Sequence, residues 1–131
     1  MIQNNTKLRV FDNSDASVVK CFKNLKFQNN NKLSAIIKIS VKEIKVNKKA
    51  SIKRGQVFNA LVIKSKYNLP RFNGQKITFD NNGCILVDNI NFKNKKTRNK
   101  LTLLGSNVFG VALKEFRLYS IKLNINAINI L

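Results

Sequence analysis

The chain has 131 residues, enough for one domain with a core of its own. Its 25 Lys+Arg against 6 Asp+Glu give a formal charge of +19, yet 44% of its residues are hydrophobic, which excludes a disordered polar chain and points to a folded protein whose charge a polyanion neutralises. No apolar run reaches the roughly 18–20 residues of a membrane span, and the opening MIQNNTKLRVFD lacks the apolar centre of a secretory leader.

Period-two alternation dominates the pattern. Lys7-Leu8-Arg9-Val10 reads as a first strand, Asp12-Asn13-Ser14-Asp15 as a turn and Val18–Leu25 as a second strand. In IIKISVKEIKV, Ile37, Ile39 and Val41 alternate with Lys38, Ser40 and Lys42, and then Ile44 and Val46 continue on the opposite parity. Such a slip predicts a β-bulge near Lys42–Glu43. Glu43–Gln56, with NKKASIKRGQ at its centre, reads as a projecting hairpin with Lys48, Lys49, Lys53 and Arg54 near the tip. Val57–Lys64 is a further strand, and Asp80-Asn81-Asn82-Gly83 is a tight-turn signal before the apolar run that ends at Val87. Five or six short strands, most with one apolar face, predict a small β-barrel. The expected organisation is a single domain, with barrel and ribbon over about 1–90, a basic insertion over 91–104 and a helical C-terminal region over 105–131. The spacing of Phe109, Leu113 and Phe116 predicts a short amphipathic helix at about Val111–Leu118, with Lys114, Glu115 and Arg117 facing away. Ile121, Leu123 and Ile125 alternate as a strand would.

Catalytic chemistry finds little support. Histidine is absent, so no Ser-His or Cys-His nucleophile pair exists, and acid–base work falls to Asp12, Asp15, Glu43, Asp80, Asp88 and Glu115. Asp12 and Asp15 are close in sequence, but they lie in a turn signature. Cys21 and Cys84 are far apart in apolar contexts, which predicts buried reduced thiols; a zinc site would need four ligands at short spacings, and no metal or cofactor is expected. Cationic segments are plentiful. Lys64–Asn73 interleaves Lys64, Lys66 and Arg71 with Tyr67 and Phe72, either to clamp phosphates and stack bases or to cover a barrel end. The segment NFKNKKTRNKLTL holds Lys93, Lys95, Lys96, Arg98 and Lys100 and no acid, the composition of an interaction segment.

The stretch Ala60–Leu86 resembles the signature of the universal large-subunit ribosomal protein of the L-fourteen family: Ala60, Leu61-Val62-Ile63, Asn73-Gly74, Phe79, Asn82 and Ile85-Leu86 stand at its positions. The opening MIQNNTKLRVFDNSDA, the strand IIKISVKE, the segment KRGQVFNALVI and GSNVFGVALKEFR are similar to the family's corresponding parts, so the resemblance runs from Met1 to about Arg117. Asp15 and Ser17 replace the usual Gly and Arg, Ser106-Asn107 stand where Thr-Arg is common, KFQNNNKLSA lacks the usual glycines, Asn91–Leu103 is longer than the usual connection, and INAINIL lacks the expected proline.

The resemblance implies a five-stranded barrel, a projecting β-ribbon and two short C-terminal helices. It implies a structural, non-catalytic protein that binds large-subunit rRNA at the subunit interface. Its implied neighbours are small-subunit rRNA across bridges, proteins of the L-three and L-nineteen families, and a silencing or assembly factor. The expected rRNA contacts are Lys20, Lys23, Lys42, Lys48, Lys49, Lys53, Arg54, Lys64, Lys66, Arg71, Lys93, Lys95, Lys96, Arg98 and Lys100. The implied interface or factor surface is Ser106, Asn107, Phe109, Lys114 and Arg117. A rival is a free single-strand-binding barrel, which needs aromatics exposed on its outer strand face. A membrane-surface role lacks the long basic amphipathic helix it would need, and no small-molecule substrate is expected. Abundant Lys, Asn and Ile, with AT-rich codons, point to an organelle genome, mitochondrial before plastid, with an AT-rich bacterium as the remaining address.

Overall fold

The computed structural model describes residues 2–26, 36–46, 51–88, 103–105, 107–114 and 127–130. In chain order its strands are β1 (Lys7–Val10), β2 (Ala16–Lys26), β3 (Ile36–Ile44), β4 (Val57–Lys64), β5 (Leu69–Pro70), β6 (Lys76–Ile77), β7 (Gly83–Val87), β8 (Val108–Ala112) and β9 (Ala127–Ile130). Strands β1-β2-β3-β4-β7 close into a barrel, while β5–β6 and β8–β9 are separate two-stranded pairs. A small barrel is the architecture the alternation predicts, its five strands are the number the resemblance implies, and β4 matches its expected limits at both ends.

Residues directly opposite one another share a face of a sheet, so the register shows what fills the interior. Leu8 faces Val19, which faces Val41. Cys21 faces Ile39, which faces Phe58, and Ile37 faces Ala60, which faces Leu86. Val10 and Val62 both meet Cys84, where β1 runs parallel to β7 and seals the barrel. Apart from the half-buried Phe58, these side chains are buried. Closure also removes both sheet edges, which would otherwise leave unpaired backbone groups.

The outer surface divides in two. On β4 and β7 the outward residues Leu61, Ile85 and Val87 are buried as well, in one cluster with Val108, Leu113 and the partly buried Leu103. That second apolar layer is why Leu61-Val62-Ile63 and Cys84–Val87 read as continuous aliphatic runs instead of alternating. On β1, β2 and β3 the outward residues are mostly polar, with Val18 opposite Arg9 and Ile36 opposite Leu61 as apolar members and Phe22 exposed beside them.

The parity slip is a bulge. Val18 faces Glu43 and Val19 faces Val41, so Lys42 is the extra residue on β3. Ser17, Phe22 and Leu25 are extra residues on β2. At the barrel seam Gly83 has no room for a side chain, because a Cβ there would lie 2.5 Å from the ring of Phe11.

Three expectations need correction or restriction. Val111 and Ala112 end strand β8 and do not begin a helix. The Phe109 N–H donates to the Phe11 carbonyl at 2.7 Å, Val108 bridges Asp12, and Gly110 sits at φ 79°. These ties hold the chain extended against the barrel, and β9 gives it a parallel partner. Leu113 and Lys114 follow the strand without helix, and the remainder of the expected helix, 115–118, with Ile121, Leu123 and Ile125, lies outside the described residues. The helical C-terminal region is therefore strand at 108–112 and at 127–130. The expected ribbon is described only at its base: Ile52 turns back into the core, and residues 51–56 form no strand.

Candidate nucleic-acid interface

Most of the outer face of β1–β2–β3 comes from the polar half of each alternating strand. Lys7 lies directly opposite Lys20, and Lys23 directly opposite Lys38. Arg9 extends the same face, and Lys42 projects at the bulge. Lys7, Arg9, Lys23 and Lys42 are exposed, Lys20 and Lys38 half-buried, and Glu43 is the acid among them. Like charges directly opposite one another destabilise a sheet. A fold that places two such pairs side by side concentrates positive potential where an anion can relieve it. Phe22, 43% exposed at its bulge between Lys20 and Lys23, adds an aromatic ring to this basic surface.

The loop between β4 and β7 is more ordered than its composition suggests. Leu69 faces Ile77 and Pro70 faces Lys76, a small hairpin whose base reaches the core through buried Leu69 and partly buried Ile77. The Arg71 N–H donates to the Gln75 carbonyl at 2.8 Å, and the Gly74 N–H to the Arg71 carbonyl at 3.1 Å. Asn73 Oδ1 accepts from the Gln75 N–H, and Asn73 Nδ2 donates to Gln75 Oε1. Gly74, at φ 84°, supplies the left-handed step in the five-residue connection between β5 and β6. The Lys66 N–H donates to Asn82 Oδ1 at 3.0 Å, tying the loop to the turn that enters β7.

Lys64 belongs to a different environment from the other loop cations. It is 8% exposed, and its Nζ lies 3.8 Å from the centroid of the Phe11 ring and 5.9 Å from that of Phe79. A Cβ on Gly110 would come within 2.9 Å of the same nitrogen. Burial pushes the Lys64 ammonium below the usual lysine range. A bulge between Val62 and Lys64 turns this side chain to the outside of the barrel end, under Phe11, so it ties the seam to β8 instead of reaching solvent.

The acids also serve the fold. Asp12, 2% exposed, accepts the Ser14 N–H at 2.9 Å and the Ser14 hydroxyl through Oδ1, and the Leu86 N–H at 3.0 Å through Oδ2. Asp15 Oδ2 accepts the Ser51 N–H at 2.9 Å, so the two carboxylates face different partners. Lys45 Nζ closes the same turn by donating to the carbonyls of Asp12 and Ser14 at 2.8 and 3.0 Å, 5.7 Å from the Phe109 ring centroid. Cys21 and Cys84 are free and buried. Burial raises both thiols; Asp12 and Cys21 raise Cys84 further, and a backbone hydrogen bond at Lys23 partly offsets the rise at Cys21.

Among the sequence-derived candidates, Lys20, Lys23 and Lys42 share the β1–β2–β3 face. Lys53 and Arg54 are exposed in the turn before β4; Lys66 is exposed and Arg71 half-buried on the signature loop. Exposed Asn107 donates its N–H to Asn13 Oδ1 at 3.3 Å, Phe109 is 46% exposed, and Lys114 is an exposed turn residue. Lys48, Lys49, Lys93, Lys95, Lys96, Arg98, Lys100, Ser106 and Arg117 lie outside the described residues. Lys7, Arg9, Lys38 and Phe22 were missed. The outward parity of Lys7, Arg9 and Lys38 was readable, but the cross-strand pairing that unites them and the bulge that exposes Phe22 were not.

The model of the family described as ribosomal protein L14p/L23e matches residues 1–130. The chain is also 37% identical, over 122 residues, to the large ribosomal subunit protein uL14 of Carsonella ruddii (strain PV), an alignment covering 89% of this chain and 88% of that relative. A closed barrel with one basic face, a hydrogen-bonded signature loop, Asp12 and Asp15 bonded to backbone N–H groups and these two similarities agree: the chain belongs to the ribosomal protein L14p/L23e family, and it is a structural component rather than an enzyme.

Proposed function

We propose that the protein is a structural constituent of the large ribosomal subunit that binds large-subunit rRNA through the outer face of β1–β2–β3 and the signature loop. The observation that carries this reading is the juxtaposition of Lys7 with Lys20 and of Lys23 with Lys38, an arrangement unfavourable alone and favourable against phosphates. RNA helices are met largely through phosphates and 2′-hydroxyls, which a rigid convex sheet bearing flexible lysines suits. Lys53, Arg54, Lys66 and Arg71 extend the contact. Asn107, Phe109 and Lys114, with Ser106 and Arg117, form the surface turned toward small-subunit rRNA and toward a silencing or assembly factor, and proteins of the L-three and L-nineteen families adjoin. The abundance of Lys, Asn and Ile, residues with AT-rich codons, supports a mitochondrial ribosome; a plastid or an AT-rich bacterial cell is the competing address, and the genome and genetic code that carry the gene decide between them.

A free single-strand-binding barrel is the second reading, favoured by the exposed Phe22 among outward lysines. Sucrose-gradient sedimentation of the tagged chain separates the two. Co-migration with large subunits at moderate salt is the expected result. A light peak carrying single-stranded nucleic acid, with none in the subunit fractions, would favour the rival.

A further inference from the structure

We infer that Phe72 is a stacking anchor for one unpaired nucleobase, held out on a preformed hairpin. Phe72 is fully exposed, so the alternative that it covers a barrel end does not apply. Its support is rigid: Pro70 fixes the backbone just before it, the Arg71–Gln75 and Gly74–Arg71 hydrogen bonds close the tip, and the Asn73 amide is bonded to Gln75. Leu69 and Ile77 fasten the hairpin to the core. The backbone beneath the ring is ordered before contact, so stacking has only the ring itself to immobilise, which lowers the cost of the anchor.

The surroundings select the partner. Arg71 precedes the ring, and Lys76 pairs with Pro70 across the hairpin; no Asp or Glu occurs from Lys64 to Phe79. A ring on a hairpin that also carries Arg71 and Lys76 fits a base whose flanking phosphates meet those cations, the usual way single-stranded loops and bulges of RNA are held. The role rests on the rRNA binding proposed above and adds to it a named residue and an unpaired nucleotide.

The test titrates the full chain and its Phe72→Ala, Phe72→Leu and Phe72→Tyr variants against large-subunit rRNA transcribed in vitro, at one moderate salt concentration, with chemical probing of the bases. The expected result is about 5- to 100-fold weaker binding for Phe72→Ala and for Phe72→Leu, and near-unchanged binding for Phe72→Tyr. Loss of protection at a single unpaired base should accompany the weakening. Melting temperatures should not change, because the ring contacts no core. If Phe72→Ala binds as tightly as the unmodified chain while that binding remains steeply salt-dependent, the anchor is overturned and rRNA binding stands. Equal binding by Phe72→Leu would make the ring an apolar plug, as for a pocket in a neighbouring protein, and would also overturn it. Absence of binding by every form would remove rRNA binding itself, and the anchor with it.

Discussion

Removing one member of a like-charged pair should stabilise the free protein and weaken its complex, and Lys38→Gln tests both signs at once. Lys38 faces Lys23 directly, and Cβ atoms so placed are about 5 Å apart. Two ammonium groups held about 6 Å apart in a water-like medium repel by roughly 0.7 kcal/mol. Allowing for side-chain freedom, the substitution should stabilise the free chain by about 0.2–0.7 kcal/mol, or ~1–2 °C in Tm. At about 1 M salt, where the screening length falls to ~3 Å, the gain should vanish. Binding changes in the opposite direction. One lost phosphate contact reduces the salt slope by about 0.9, which at 0.1 M salt is a factor of about 8 in affinity. Scanning calorimetry at two salt concentrations and filter binding to large-subunit rRNA at four or five supply the numbers. An unchanged affinity and slope would show that this face is a solvated surface with no polyanion partner, and the reasoning would fail.

Other substitutions probe the framework. Gly83→Ala puts a Cβ 2.5 Å from the Phe11 ring and should cost about 1–3 kcal/mol in urea unfolding, since the ring must leave its place over the seam. Asp12→Asn turns a carboxylate that accepts from Ser14 and Leu86 into a group with a misplaced donor, and should cost about 1–3 kcal/mol in the same assay. Lys64 has a folded-state pKa below its unfolded one, so the unfolded chain binds more protons between the two values and stability rises with pH there. From pH 7 toward pH 10 the unmodified chain should therefore gain Tm relative to Lys64→Met; a constant difference would contradict the burial of that charge.

Most of the barrel was legible because one-sided burial writes itself as alternation. Lys7–Val10 and Ile36–Val41 each bury every second residue, and the slip after Val41 marks the bulge that the register places at Lys42. The β5–β6 hairpin was not legible, because two residues per strand carry no period. Strand β8 was misread because the spacing of Phe109 and Leu113 imitates a helical face, whereas its partner β9 lies remote in sequence and parallel. Lys64 stands among the expected RNA contacts because it opens a segment that interleaves cations with aromatics and matches the basic signature loop; the niche formed by Phe11, Phe79 and Gly110 exists only after the chain folds. The basic face was half legible. Outward lysines can be counted along each strand, but only the register shows that Lys7 meets Lys20 and that Lys23 meets Lys38.

The affinity of the purified full-length chain for large-subunit rRNA as a function of salt tests the central claim most directly. If Lys7, Arg9, Lys20, Lys23, Lys38 and Lys42 each meet a phosphate, log affinity against log salt should fall with a slope of roughly −5, before the loops add their share. A slope near zero, or no binding at about 0.05 M salt, would contradict it.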